Sequence, residues 1–261
     1  MDLLTLSQRC EASANGAAAR SRVVADVGPF RALIDSGIDL IWLNYAVPIG
    51  PIDNTVLVTD ALEELRRVFL AYQRRLRFEF NALPWPGLAA VLEQHGLEHQ
   101  LAAPLMVCTP ETLIDFAQPT IVAQVLGASA SDEELRALLG IQREAFGGAE
   151  LVTQQEIAET RSKILAGAEL YGLALVDNIP AAAAVLSDFA AVGELVGVGT
   201  AAAYRRRGAA ATLSATLTRH YFNTLGNLAW LSAGDAGSQA VYERVGYRVI
   251  DQRLNYIAPE I

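Results

Sequence analysis

The sequence predicts an α/β (α+β) fold, and three observations carry that reading. From residue 120 onward, short β-branched and apolar runs alternate with longer amphipathic stretches, each bounded by capping or turn residues. Within that alternation, a strand over residues 194–200 stops and turns through Ala201-Ala202-Ala203-Tyr204 and three arginines, and a helix over 209–225 opens at Gly208. Earlier in the chain, residues 77–106 repeat the strand, helix, strand order of residues 227–256 when one is laid over the other without gaps.

In chain order, residues 38–47 read as a strand and 60–74 as an amphipathic helix. A strand at 76–80, a helix over 86–95 ended by Gly96 and an extended strand at 97–107 complete a first set. The second set opens with a strand at 120–126. Ser131-Asp132-Glu133-Glu134 then has the spacing in which a serine and a glutamate each cap the other's backbone, so a helix is expected from there to Ala145. Phe146-Gly147-Gly148 breaks it, and residues 153–166 supply a second, more polar helix. Strands at 170–176 and 181–186 flank the turn residues Asp177-Asn178-Ile179-Pro180. The strand at 194–200 and the helix at 209–225 follow. A strand at 228–232, a short helix at 237–245 and a last strand at 247–257 complete the order β-α-α-β-β-β-α-β-α-β.

A chain of 261 residues has room for one large domain or two modest ones. With 52% hydrophobic and 19% charged residues it is globular in composition. A net charge of −9 argues against nucleic-acid binding, which needs a basic surface, and favours cationic, amine-bearing ligands. Two cysteines, Cys10 and Cys108, without a C-x-x-C pair and with only three histidines, do not make a common zinc framework, so no metal is expected. His95 and His99 have no third ligand nearby, and Cys108, after the apolar run 104–107, is expected as a buried small hydrophobe. The start of the chain lacks a basic segment followed by a sustained apolar core, and no stretch approaches the roughly 18 uninterrupted apolar residues of a membrane-span candidate. A soluble, cytoplasmic protein is the expectation.

The strand–turn–helix at 194–225 carries the chemistry. At a helix start the first backbone N–H groups lack intrahelical partners, and the helix dipole adds positive charge there. Small residues at Gly208, Ala209 and Ala210 let a pyrophosphate approach, and Arg205, Arg206 and Arg207 supply charge. A phosphate-bearing ligand is implied. A Walker loop is absent, because no Gly-Lys-Ser or Gly-Lys-Thr occurs. A dinucleotide fingerprint fails too: Gly197 and Gly199 lie inside the strand, with the arginines where a third glycine should be. What fits is R-x-x-G-x-A, from Arg205 to Ala210. It resembles the acyl-CoA signature Q/R-x-x-G-x-G/A of the GNAT N-acetyltransferase superfamily. Downstream, Tyr242-Glu243-Arg244-Val245-Gly246-Tyr247 resembles that family's Y-E-K-x-G-F/Y ending, in the right order and separated by one helix and one strand.

The resemblance implies a mixed, mostly antiparallel sheet flanked by helices, the GNAT acyl-CoA N-acyltransferase fold, in tandem. It implies acetyl-CoA as co-substrate, with pantetheine along Val198, Gly199 and Thr200 and the pyrophosphate held from Arg205 to Ala210. Asp235 falls where the family commonly has Asn, near the pantetheine arm. Tyr242 aligns with the tyrosine that protonates the departing thiolate. A phenol stays protonated at neutral pH and can serve as that acid. Glu194 aligns with an acidic residue that acts in some members as general base through water, as an amine that is protonated at neutral pH requires. The acceptor implied is a small-molecule amine or a peptide amine, with a homodimer left open.

Two domains are expected: a degenerate GNAT-like repeat at 1–117 and the acyl-CoA-binding N-acetyltransferase domain at 118–261. In place of the arginine-glycine turn the first repeat has Val47-Pro48-Ile49-Gly50-Pro51-Ile52-Asp53-Asn54, where prolines remove donors and Asp53 repels phosphate. Leu92 also stands in the place of Tyr242, so the first repeat is not expected to bind CoA. The alternative from another class is a non-catalytic acyl-CoA-binding module that senses the coenzyme or scaffolds a partner.

Overall fold

The computed structural model describes residues 1–37, 39–53 and 55–260. The chain divides into two compact units, Met1–Leu105 with Ile250–Ile261, and Met106–Val249. Residues 106–117 and 250–261 therefore group differently from the 117/118 division read in the sequence. The end of the chain is drawn into the first unit because its last strand pairs there.

The first unit contains α1 (Leu3–Ala19), β1 (Val23–Val27), β2 (Phe30–Ile34), β3 (Tyr45–Pro48), α2 (Thr55–Ala71), β4 (Arg77–Asn81) and α3 (Leu88–Gln94). Residues 98–105 of β5 (Glu98–Cys108) and 250–257 of β11 (Arg248–Ile257) complete it. Its strands lie in the order β1-β2-β3-β4-β11-β5. β1, β2 and β3 run antiparallel, β3 and β4 meet in parallel at Ala46 and Phe78, and β4 pairs antiparallel with β11 from Asn81–Arg253 to Arg77–Ile257. Leu62, Leu65 and Phe69 of α2 pack with Phe30, Phe78, Phe80 and Tyr256 in its core. Within the strands a buried ionic cluster replaces apolar packing. Glu79 pairs with Arg77 at 2.8 Å and with Arg253 at 2.6 Å.

The strand expected at 38–47 is a correction. Ile41–Leu43 form a single 3-10 turn, and the strand is Tyr45–Pro48. Asn44 explains the turn: its buried amide accepts from the Asp35 N–H and donates to the Leu40 carbonyl, both at 2.9 Å. The helix read at 60–74 starts and ends earlier, as α2. Ile38 and Asn54, which fell within the strand and turn read from sequence, and Ile261 lie outside the described residues.

The second unit contains β6 (Ile121–Leu126), α4 (Asp132–Ala145), α5 (Gln154–Ala166), β7 (Glu169–Val176), β8 (Ile179–Phe189), β9 (Val192–Thr200), α6 (Ala209–Thr224), β10 (Leu228–Ser232) and α7 (Ala236–Glu243). The strand order is β10-β9-β8-β7-β6, antiparallel from β6 to β9 and parallel between β9 and β10. This is the mixed, mostly antiparallel sheet flanked by helices that the sequence implied. Ser131 and Glu134 form the expected reciprocal cap of α4, and Thr153 and Glu156 do the same for α5. Leu213, Leu217 and Tyr221 of α6 pack on one sheet face with Leu186 and Leu195. Leu135, Leu138 and Ile157 of α4 and α5 pack on the other with Leu173 and Val185. Two-residue turns join β7 to β8 and β8 to β9. All four of their residues, Asp177, Asn178, Ala190 and Ala191, have φ between +52° and +63°, as the twist of tight hairpins requires.

Candidate coenzyme site in the second unit

Strand β9 pairs with β10 at only three positions, Val192–Leu228, Gly193–Ala229 and Glu194–Trp230. Beyond Glu194 its flank toward β10 is unpaired, and the strand runs on to the 3-10 turn Ala202–Tyr204 and the start of α6. Gly208 is the N-cap, at φ +94°, with no side-chain cap. The ladder of α6 begins with the Thr212 N–H donating to the Gly208 carbonyl at 2.9 Å. The helix therefore has no acceptor for the N–H groups of Ala209, Ala210 and Ala211. A Cβ at Gly208 would meet Gln118 Cγ at 3.0 Å, in a backbone conformation that L side chains rarely adopt.

These groups face a cavity of about 510 Å³. One wall is Thr200, Tyr204, Arg205, Arg206 and residues 208–211. The other is a single face of α7: Gly237, Ala240, Val241 and, at its C-cap, Arg244. Three guanidinium groups, three uncapped N–H groups and a lining of glycine and alanine give the cavity positive potential and room for a bulky anion. A phosphorylated ligand fits this donor set. Arg244 was missed in the sequence. Its signal was present, because 237, 240, 241 and 244 follow helical spacing along one face and Arg244 occupies the lysine place of the Y-E-K pattern.

The other residues singled out in the sequence take different places. Arg205 lies on the cavity, its Nε donating to the Thr200 carbonyl at 3.3 Å. Arg206, at φ +62°, is exposed, and the Arg207 guanidinium stacks 5.3 Å from the Tyr204 ring centre. Val198 packs into the core on the α6 face. Gly199 is buried on the other face, where a Cβ would sit 2.8 Å from Cβ of Ala145. Glycine there is what lets α4 lie against β9. Asp235 is the N-cap of α7, accepting from the Ser238 N–H at 2.6 Å, and that backbone bond together with the Ser238 hydroxyl holds its carboxyl below the usual range.

Glu194 is half-buried and stands inside the sheet, between Ser187 of β8 and Trp230 of β10. Tyr242 is 9% exposed and belongs to the core rather than to the lining of the cavity. Burial, reinforced by the charge of Asp235, pushes its phenol up to about 12. Among the described residues no group of three or more histidine, cysteine or acidic side chains is placed to hold a metal ion, and no helix is long and apolar enough to cross a membrane.

Residues 135–247 match the family model described as the acetyltransferase (GNAT) family. Among solved structures, the chain is similar to a GCN5-related N-acetyltransferase from Kribbella flavida, with 28% identity, a TM-score of 0.82, and coverage of 98% of this chain and 96% of that one. It shares its fold with a GCN5-related N-acetyltransferase from Sphaerobacter thermophilus, at 17% identity, TM-score 0.66 and coverage of 89% and 78%. The fold is also that of a tandem GNAT protein from the clavulanic acid biosynthesis pathway, at 14% identity, TM-score 0.61 and coverage of 90% and 80%. A search of curated proteins finds no match.

Proposed function

We propose that the chain, whose residues 135–247 match the model of the acetyltransferase (GNAT) family, is an N-acyltransferase that moves an acetyl group from acetyl-CoA to a primary amine. The observation that carries this reading is the uncapped start of α6, facing a cavity that also receives Arg205, Arg206 and Arg244. Acetyl-CoA supplies an activated acyl thioester. The backbone from Arg205 to Ala210 binds its pyrophosphate, and the unpaired flank of β9 at Val198 and Thr200 receives the pantetheine arm.

Glu194, through water, takes the proton that the attacking ammonium must lose. The amine nitrogen bonds to the acyl carbon, the carbon–sulfur bond breaks, Tyr242 gives its phenolic proton to the leaving sulfur, and the second surplus proton on the nitrogen passes through water to restore the phenol. The raised phenol pKa keeps that proton in place through neutral pH. The chemistry calls on no metal, and the cytoplasm is the proposed compartment.

The first unit is read as a second, inert GNAT-like repeat. Like β9-α6-β10, its β3-α2-β4 joins two parallel strands through a helix. In the turn before α2, the Ile49 and Gly50 N–H groups donate to the Pro29 carbonyl at 2.8 and 3.2 Å, and Pro48 and Pro51 have no donor to offer. The sensor reading has one observation in its favour, the burial of Tyr242 away from the cavity lining. Release of free thiol from acetyl-CoA, assayed across a panel of small amines and peptides, separates the two. Turnover with any amine supports the transferase, and tight binding without transfer across the panel supports the sensor.

A further inference from the structure

One glutamine on α4 controls the backbone of the strand that the acyl group would lie along. Strand β9 pairs with β8 in one register up to Val196–Val185 and resumes at Gly199–Ala183. Two residues, Gly197 and Val198, therefore stand opposite Ala184, an inserted residue of the kind that re-aims a strand. The faces confirm the insertion. Leu195 and Val198 both pack with α6, although strict alternation would put them on opposite sides.

The Gly197 carbonyl, left outside the ladder, accepts a hydrogen bond from Gln142 Nε2 at 2.8 Å. A Cβ at Gly197 would lie 2.4 Å from that nitrogen, and φ there is +59°. Glycine is thus needed both for the turn and for the approach of the amide. Two residues on, Glu144 Oε1 accepts from the Ala202 N–H at 3.1 Å. The last turn of α4 therefore holds the chain on both sides of residues 198–201, at the insertion in β9 and at the 3-10 turn that follows it.

In a trans peptide the carbonyl and the following N–H point in opposite directions. Fixing the Gly197 carbonyl on α4 fixes the Val198 N–H pointing away from α4, and Val198 pairs with no residue of β8 or β10. We propose that Gln142 is a positioning residue for acyl transfer, holding the insertion at Gly197 so that the Val198 N–H meets the thioester carbonyl oxygen. The proposal rests on the acetyl-transfer reading above. A preorganised donor aimed at a developing oxyanion contributes about 10²–10³-fold in rate, so a misaimed one costs roughly tenfold or more.

The test is isotope-edited infrared spectroscopy of acetyl-CoA labelled at the thioester carbonyl, bound to the full chain, with the dissociation constant measured alongside. Wild type should lower the carbonyl stretching frequency relative to free acetyl-CoA. Gln142→Leu, which keeps the bulk and loses the donor, and Gln142→Glu, whose carboxylate cannot donate, should bind nearly as tightly but return the frequency toward its free value. Either variant retaining the wild-type frequency overturns the assignment. Loss of binding along with the shift in both variants also overturns it, by making Gln142 a structural strut. Failure of the wild type to bind acetyl-CoA refutes instead the reading beneath it, and binding without a frequency shift removes the Val198 donor itself.

Discussion

The ring of Tyr242 meets the ring of Tyr247 edge to face, with centroids 6.1 Å apart, and the Tyr247 hydroxyl shares a 2.7 Å hydrogen bond with Thr218. The aromatic contact needs only the rings, whereas proton donation needs the Tyr242 hydroxyl. Tyr242→Phe therefore should leave thermal stability and acetyl-CoA affinity close to wild type. A general acid is worth about 10²–10⁴-fold, so kcat should fall within that range. An unchanged kcat, with the chemical step shown to limit the rate, would make the tyrosine a core residue only.

Gly208→Asp places a carboxylate at the uncapped start of α6 and an L side chain at φ +94°. Acetyl-CoA binding should be lost while circular dichroism still reports a folded chain. Arg244→Ala should weaken binding by about tenfold or more, the scale of a hydrogen bond to a charged group, and should reduce its sensitivity to salt. Unaltered affinity in a folded Gly208→Asp protein would put the coenzyme elsewhere.

The β8–β9 turn sets two alanines, Ala190 and Ala191, at φ +54° and +60°. Left-handed backbone costs a non-glycine residue about 1–2 kcal/mol. Replacing the pair with Asn-Gly, the residues such turns favour, should raise the melting temperature without altering activity. A lower melting temperature would contradict the turn geometry.

Burial alone would raise the pKa of Glu79, but the charges of Arg253 and Arg77 outweigh it and hold the carboxyl below its ordinary 4.5. A depressed carboxyl stabilises the fold above its unfolded pKa, and that stability is lost as pH falls through the folded value. Chemical denaturation should accordingly show stability falling as the pH drops below 4.5. Glu79→Gln should flatten that dependence. At neutral pH it should cost about 3–5 kcal/mol, because two buried guanidinium groups lose their counter-charge. A variant as stable as wild type at pH 7 would refute the ionic account.

Much of this was legible in the sequence because the second unit obeys local rules. Ser131 and Thr153 cap where their glutamates stand, and β10 begins and ends where its apolar run does. The region before residue 38 was not legible. The buried face of α1 includes Ser7, Glu11 and Ser13, so its inward side carries no apolar period, and tertiary polar contacts such as Ser7 with Asp251 decide it. Gly197 and Gly199 could be seen in the sequence, but their reason could not, since it is the approach of Gln142 and Ala145 from α4. Glu194 could have been an exposed edge residue on pattern alone. Its place between Ser187 and Trp230 depends on strand order, which no local signal contains.

We propose one coenzyme site in the chain, at the start of α6, and none at the start of α2. Calorimetric titration of the full chain with acetyl-CoA measures it directly. One molecule should bind per chain, and none should bind to Gly208→Asp. Two per chain would contradict the inert first repeat, and none in the wild type would contradict the site itself.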